Sequence, residues 1–414
     1  IDDLRKNGAK VIILSSHLQG VNEEISLLKE LTGVDVVIAG GGDNRLANPS
    51  DTLIPGEVAE GPYPLVAVDK SGFSVPVVTV DGQLKYIGRL TLDVSAQGKV
   101  LGWQGGINRV VDTKIDPFRG VVGDRVAYET IERPVNEFVQ GFAQSKISSP
   151  IGFSLNAEKN DIRAKETNLG NLIADSQLWA AKTVAASKGA PVADIAIANG
   201  GGIRSSINLA QKTGYEVTVE DTFNVLPFSN FVSVVPKLSS AELKLLLENA
   251  ISKTVLEAGA PKRSGDGTGR FPQIAGFKLE YDINAKPMKI SDKGEVTQQG
   301  VRVVNATLND GTKIIENGIP VDNKTVNLAI VDFLAKKGDQ YFNFRASEVP
   351  FTVLGYTYQA ALAEYIKDKL KGDLSSYEKP DGRIKFDAKA SSSGLKAGNA
   401  GIYFPGAVSK AAGW

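Results

Sequence analysis

The sequence predicts an α/β protein built as two units joined by a helix, and three observations lead there. Short apolar runs rich in β-branched residues recur with room for a covering helix between them, as in strands buried on both faces of a parallel sheet. A mostly helical stretch over residues 125–147 ends in Ser148-Ser149-Pro150, where the residue before proline is pushed out of the helical region. A second strand-and-helix pattern then begins. At 414 residues the chain is long enough for two or three cores.

In the first unit, Lys-Val-Ile-Ile-Leu at 10–14 follows Asn7-Gly8 and is expected to be a buried strand. Val21, Ile25, Leu28 and Leu31 share one helical face, and Gly33 stops that helix. Residues 34–39 form a second buried strand, so this β–α–β unit implies a parallel sheet. Residues 73–80 and 86–94 read as further strands, broken at Gly82 and Gly98. Pro134 is expected to kink or break the helical stretch that follows.

The second unit opens with a helix over 169–182 and a strand over 194–198 that ends in Asn199-Gly200-Gly201-Gly202. Residues 231–235 form a strand. Ser239, with Glu242 three residues on, is a capping box that starts a helix running to Ser252. A strand over 326–331 and a helix over 358–371 follow. After Asp387 the sequence is rich in Ala, Ser and Gly and is expected to be irregular.

Composition removes several functions. The chain carries 47 basic and 47 acidic side chains, and zero net charge speaks against a nucleic-acid polymer as partner. With no cysteine it has no disulfide, thiol nucleophile, zinc ribbon or iron–sulfur cluster. Its one histidine, His17, cannot make a multi-histidine metal site alone. No run of about 18 apolar residues exists, so no membrane span is predicted. Oligomeric state is not legible. The opening at Ile1, in a polar and helix-like stretch, leads us to expect a piece of a longer protein.

Four segments carry a more specific signal. They are Glu166-Thr167-Asn168-Leu169-Gly170-Asn171-Leu172-Ile173-Ala174-Asp175, Asn199-Gly200-Gly201-Gly202-Ile203-Arg204, Leu226-Pro227-Phe228-Ser229-Asn230 and Phe333-Leu334-Ala335-Lys336-Lys337-Gly338-Asp339. In this order they resemble the 5′-nucleotidase family, whose members pair a dinuclear metallophosphatase domain with a C-terminal nucleotide-recognition domain. The resemblance implies a truncated metallophosphatase-type α/β sandwich over 1–120 and a linker helix over 121–149. It implies the C-terminal α/β domain over 150–387 and an irregular tail over 388–414.

The residue types suit a nucleotide. Two aromatic rings on separate loops, Phe228 and Phe333, can clamp a base by stacking, which tolerates any base. Asn199 and Asn230 carry amides that can read a base edge. Asp339 can accept both hydroxyl hydrogens of a ribose, and Arg163 and Arg204 present forks suited to phosphate. By resemblance these residues, with Gly202 of the glycine loop, form the substrate pocket. In an unrelated chain the two phenylalanines would be core, Asn199 and its glycines a turn needing positive φ, and each arginine a solvated side chain. The glycine loop lacks both the P-loop lysine and the Rossmann spacing.

The metal side is thinner. His17 stands just past a predicted parallel strand, where the family's histidine ligates one of two metal ions. The family's next histidine aligns with Gly42 in Gly40-Gly41-Gly42-Asp43-Asn44-Arg45, leaving Asp43 or Asn44 as candidate oxygen ligands. The family's Asp-x-His, bridging Asp and Asn-His-Asp/Glu elements would precede Ile1, so no catalytic residue is assigned within the chain. The implied whole is an exported, periplasmic or extracellular hydrolase of nucleoside 5′-phosphates. It would use two divalent ions such as zinc or manganese, with this chain alone hydrolysing poorly or not at all. The alternative is a non-catalytic nucleoside-binding protein built on a degenerate nucleotidase.

Overall fold

A computed structural model describes residues 1–387, apart from 19, 43, 83, 119, 265–268, 292 and 293; the tail beyond 387 lies outside the described residues. The chain divides into two compact units, which meet in sequence between Gln144 and Ser145.

The first unit begins with α1 (Asp2–Lys6), β1 (Ile13–Ser16), α2 (Val21–Leu28) and β2 (Val36–Ala39). It continues with β3 (Leu65–Val68) and β4 (Ser74–Val78). The sheet order is β1-β2-β4-β3, with β1, β2 and β4 parallel and β3 antiparallel to β4. Helix α2 covers one face, burying Val21, Leu28, Val37, Ala39, Val75 and Val77 in one core. The expected buried strand at 10–14 is corrected to an edge strand at Ile13–Ser16, with Ile13 55% exposed. With α2 covering one face of the sheet only alternate side chains are buried, so Ile12 is buried while Ile13, like Ile38 on the interior strand β2, is exposed.

Strands β5 (Tyr86–Val94) and β6 (Val100–Arg109) form an antiparallel ribbon, and Tyr86 and Ile107 join Leu46, Tyr63 and Val78 in a second small core. The long helical stretch consists of α3 (Arg125–Ala127), a π turn at Tyr128–Glu132, and α4 (Arg133–Gln144). The π turn sits just ahead of Pro134, which has no N–H to give the carbonyl four residues back.

The second unit contains α5 (Lys159–Ile162), α6 (Asn168–Val184), β7 (Ile195–Asn199), α7 (Val219–Val225), β8 (Phe231–Ser239) and α8 (Ser240–Ala250). The predicted capping box is present at the head of α8, with Ser239 accepting from the Glu242 N–H and Glu242 accepting from Ser239. Then come β9 (Thr254–Glu257), β10 (Ala260–Arg263), β11 (Pro272–Ala275), β12 (Phe277–Asp282), β13 (Lys289–Ile290), β14 (Val296–Gln298) and β15 (Val303–Leu308). The last elements are β16 (Lys313–Glu316), β17 (Ile319–Pro320), β18 (Thr325–Val331), α9 (Asp332–Ala335), β19 (Thr352–Thr357), α10 (Tyr358–Glu364) and β20 (Ile384–Asp387).

One sheet has the order β11-β7-β18-β8-β19, in which β7 and β18 are parallel and the other pairings antiparallel. Helix α6 packs against β7 and β11, and its fully buried Leu169, Leu172 and Ile173 join the unit's one large core. A second sheet runs β17-β16-β15-β12-β20.

The strand directions decide where chemistry gathers. The carboxyl ends of β7 and β18 and the amino ends of β8 and β11 emerge at a single sheet edge. That edge therefore collects Asn199–Arg204, Phe333–Asp339, Phe228–Asn230 and the Gly269-Arg270 pair, four segments far apart in sequence. Among the described residues no helix is long and apolar enough to cross a membrane.

Candidate functional site

The glycine loop follows from crowding. None of Gly200, Gly201 and Gly202 has positive φ, so the turn-only account of them fails. A Cβ on Gly200 would overlap the Ile162 carbonyl, one on Gly201 would lie 2.7 Å from the Gly269 Cα, and one on Gly202 2.9 Å from Asn199 Oδ1. The loop is pinned as the Gly200 N–H donates to the Phe271 carbonyl (2.8 Å) and the Gly201 N–H to the Gly269 carbonyl (2.7 Å). Only glycine lets the chain pass this close.

Asp339 faces that loop. Asn199 Nδ2 donates to Asp339 Oδ2 at 2.6 Å, so the Asn199 amide expected along a base edge is turned to a carboxylate instead. Burial lifts the Asp339 carboxyl above its ordinary range, against the Asn199 bond and the charges of Arg270 and Arg163. Its backbone is left-handed, at φ 51°.

The arginines divide. Arg163 is half-buried with its Nε sealed from solvent and unpartnered. Burial lowers its pKa, helped by the positive charges of Arg204 and Arg263, while Asp339 opposes the shift. It is therefore not a solvated surface side chain, and both like charges and a carboxylate act on it. Arg204 is exposed and lies over the Phe228 ring, 5.7 Å from its centroid, with Nη1 donating to the Gly201 carbonyl at 3.3 Å.

The two phenylalanines are not core residues. Phe228 is 47% exposed and Phe333 44%. Tyr358 fixes the first: its hydroxyl accepts the Phe228 N–H (3.1 Å) and donates to the Gly202 carbonyl (3.3 Å). The second packs on Gly338, where any Cβ would come within 2.5 Å of the Phe333 ring carbons. The Phe231 N–H donates to Asp332 Oδ1 at 2.9 Å, tying the two aromatic-bearing segments together. Asn230 is half-buried beside them, its main-chain carbonyl accepting the Tyr358 N–H at 3.1 Å.

The segment at 166–175 does different work. Glu166 accepts the Gly382 and Ile384 N–H groups, both at 3.0 Å, and so clamps β20. Asn168 Nδ2 donates to the carbonyls of Ser154 (2.9 Å) and Tyr377 (3.0 Å). These residues tie β20 and the loops around Ser154 and Tyr377 to the head of α6.

In the first unit His17 is exposed at the carboxyl end of β1. Gly40 and Gly41 lie flat against that strand end, the Gly40 N–H donating to the Ser16 carbonyl at 3.0 Å. Asn44 Oδ1 accepts the Val21 N–H at 3.0 Å, at the head of α2, and its Nδ2 donates to Glu60 Oε2 at 2.7 Å. Asp43 lies outside the described residues. Among the described residues no group of three or more His, Asp or Glu could hold a metal ion. Among the described residues the donor set does not make up a two-metal centre.

Sequence reasoning missed Arg270, Asn249 and Tyr358. Arg270 and Asn249 are 9% and 1% exposed, and Arg270 Nη1 donates to Asn249 Oδ1 at 3.0 Å. Their one signal was a charged residue entering an apolar strand, Gly269-Arg270-Phe271-Pro272, which periodicity alone does not interpret.

Residues 146–346 match the family model described as 5′-nucleotidase, C-terminal domain. A snake venom 5′-nucleotidase from Naja atra is 28% identical over 342 residues, covering 82% of this chain and 58% of the relative. A 5′-nucleotidase from Mus musculus is 27% identical over 393 residues, covering 94% and 60%. The chain thus spans about three fifths of the length of these two relatives. The crystal structure of a 5′-nucleotidase precursor from Thermus thermophilus superposes with a TM-score of 0.59 at 26% identity, covering 94% of this chain and 66% of that one. The second unit thus carries a 5′-nucleotidase C-terminal domain, and the chain over most of its length is similar to 5′-nucleotidases.

Proposed function

We propose that this chain supplies nucleotide recognition to a metal-dependent phosphohydrolase that releases phosphate from nucleoside 5′-phosphates. The observation that supports the reading best is the convergence, at one sheet edge, of two half-exposed phenylalanines, a half-buried carboxylate and two arginines. Phe228 and Phe333 stack on the two faces of a base, and Asn230 sits at its edge. Asp339, oriented by Asn199, accepts the ribose hydroxyls. Arg163 and Arg204 attract the phosphate, Arg163 from a desolvated position where its charge acts strongly. The glycine loop through Gly202 lets backbone approach the ligand.

On this reading the intact enzyme uses two divalent ions, and His17 is the ligand this chain would offer. The described residues do not complete their site, so the chemistry assigned to this chain is recognition. The venom relatives support an extracellular or periplasmic location. Nucleotide is the partner proposed, with no nucleic-acid polymer.

Adenosine titration by calorimetry tests the pocket: binding by the parent that is lost in Phe228→Ala supports it, and equal affinities would sink it. Phosphate release from AMP by the natural-length protein, with added manganese or zinc and a chelator control, tests the enzyme. Adenosine binding without release under any metal would make the protein a nucleoside binder.

A further inference from the structure

Asp339 sits in a strained loop. Lys337, Asp339, Gln340 and Phe342 all have positive φ (70°, 51°, 62° and 58°), and none is glycine. Side chains in this region persist only where their surroundings over-determine the backbone. The surroundings are specific. Asn249 Nδ2, at the end of α8, donates to the Asp339 main-chain carbonyl at 3.3 Å. Arg270 Nη1 holds that same amide by donating to Asn249 Oδ1 (3.0 Å) and reaches Ser252 Oγ (3.4 Å). The Tyr341 hydroxyl, wholly buried, donates back to the Arg270 carbonyl at 2.8 Å. The flanking carbonyls of Gly269 and Phe271 accept from Gly201 and Gly200, so one tripeptide grips both the glycine loop and the Asp339 loop.

We infer that Arg270 and Asn249 are positioning residues for ribose recognition, holding the Asp339 loop in the backbone conformation that presents its carboxylate beside Asn199. This rests on the nucleoside-pocket reading and adds to it a pair of residues that need not touch the ligand. Burying an arginine costs free energy, and Arg270 keeps a sealed Nε with no partner. The charge is explained by what it faces: Arg270 acts on Asp339 and favours its ionised form, the form that accepts two hydroxyl hydrogens.

The test is the ratio of affinities for adenosine and 2′,3′-dideoxyadenosine, measured by calorimetry on the full chain. A pocket that hydrogen-bonds the diol should prefer adenosine by roughly tenfold or more. In Arg270→Met the ratio collapses toward one while dideoxyadenosine still binds within about twofold of the parent, because base stacking needs neither residue. Generalised damage to the fold would weaken both ligands alike and leave the ratio unchanged. Asn249→Ser, which keeps the buried charge, is the second variant should Arg270→Met fail to fold; its ratio falls by about fivefold, the loss of one main-chain hydrogen bond. An unchanged ratio in a folded variant overturns the inference and leaves the pocket standing. A parent that binds neither nucleoside overturns the pocket and the inference together.

Discussion

The side-chain amide of Asn199 donates to the Asp339 carboxylate at 2.6 Å across 140 residues of chain. The bond joins the end of β7 to the loop after α9, and it is short because a carboxylate in partly desolvated surroundings draws its donor close. It also fixes which way the carboxylate points, so the loss of either partner disturbs the same feature of the site.

Asp339→Asn is expected to separate binding from stability. Burial holds the folded Asp339 carboxyl above its ordinary range, so the native state keeps its proton to a higher pH than the unfolded chain does. Between those two pKa values the native state binds more protons, and stability falls as pH rises through that window. Above it the cost is fully present. Asparagine carries no such cost, so Asp339→Asn should melt higher than the parent at pH 7 and lose that advantage as pH is lowered, while adenosine affinity drops at least about tenfold. Calorimetric melts at several pH values check the sign; a variant that melts lower than the parent at pH 7 would contradict it.

Pocket aromatics allow a steric test. Phe228→Ala should weaken adenosine binding by about 5- to 150-fold, the range expected for one stacked base. Gly338→Ala should come close to the effect of Phe333→Ala although it deletes nothing, because the new methyl would meet the Phe333 ring at 2.5 Å and turn it out of place. Gly338 lacks a positive φ, so backbone strain does not confuse the result. Equal affinities for parent and Gly338→Ala would show that the Phe333 ring does not contact the base.

What the sequence could reveal depended on the reach of each interaction. Ser239 and Glu242 were legible because a capping box closes within three residues. The glycines at 200–202 were visible as composition, but the Ile162 carbonyl that requires Gly200 comes from another element. Phe228 and Phe333 read as pocket residues only through the family pattern, since hydrophobicity alone assigns them to a core. Ile13 differs from the expectation because an apolar run does not say whether both faces of its sheet are covered. Arg270 was missed altogether: its partners Asn249 and Tyr341 lie 21 and 71 residues away. Glu166 belongs to the recognition motif in sequence and to the clamp on β20 in space.

That clamp gives the last expectation. Arg383 donates to Asp175 Oδ1 (2.8 Å), to Asp381 Oδ2 (2.7 Å) and to the Ile274 carbonyl (2.9 Å), while the Tyr377 hydroxyl donates to Asp175 Oδ2 (2.9 Å). The Arg383 side chain is only 13% exposed and Asp175 22%. Removing the guanidinium leaves a largely buried carboxylate without its counter-charge, a change that costs about 3 kcal/mol. Arg383→Met should therefore lower the unfolding free energy by about 3 kcal/mol, read as a lower denaturant midpoint at unchanged m. Its partners hold β20 to α6 and β11, and none of them belongs to the Asn199–Asp339 pocket. Adenosine affinity in the folded variant should accordingly match the parent within about twofold. A stability loss accompanied by a large fall in affinity would show that β20 and the pocket edge are energetically coupled, and that the motif at Glu166 serves recognition through the sheet.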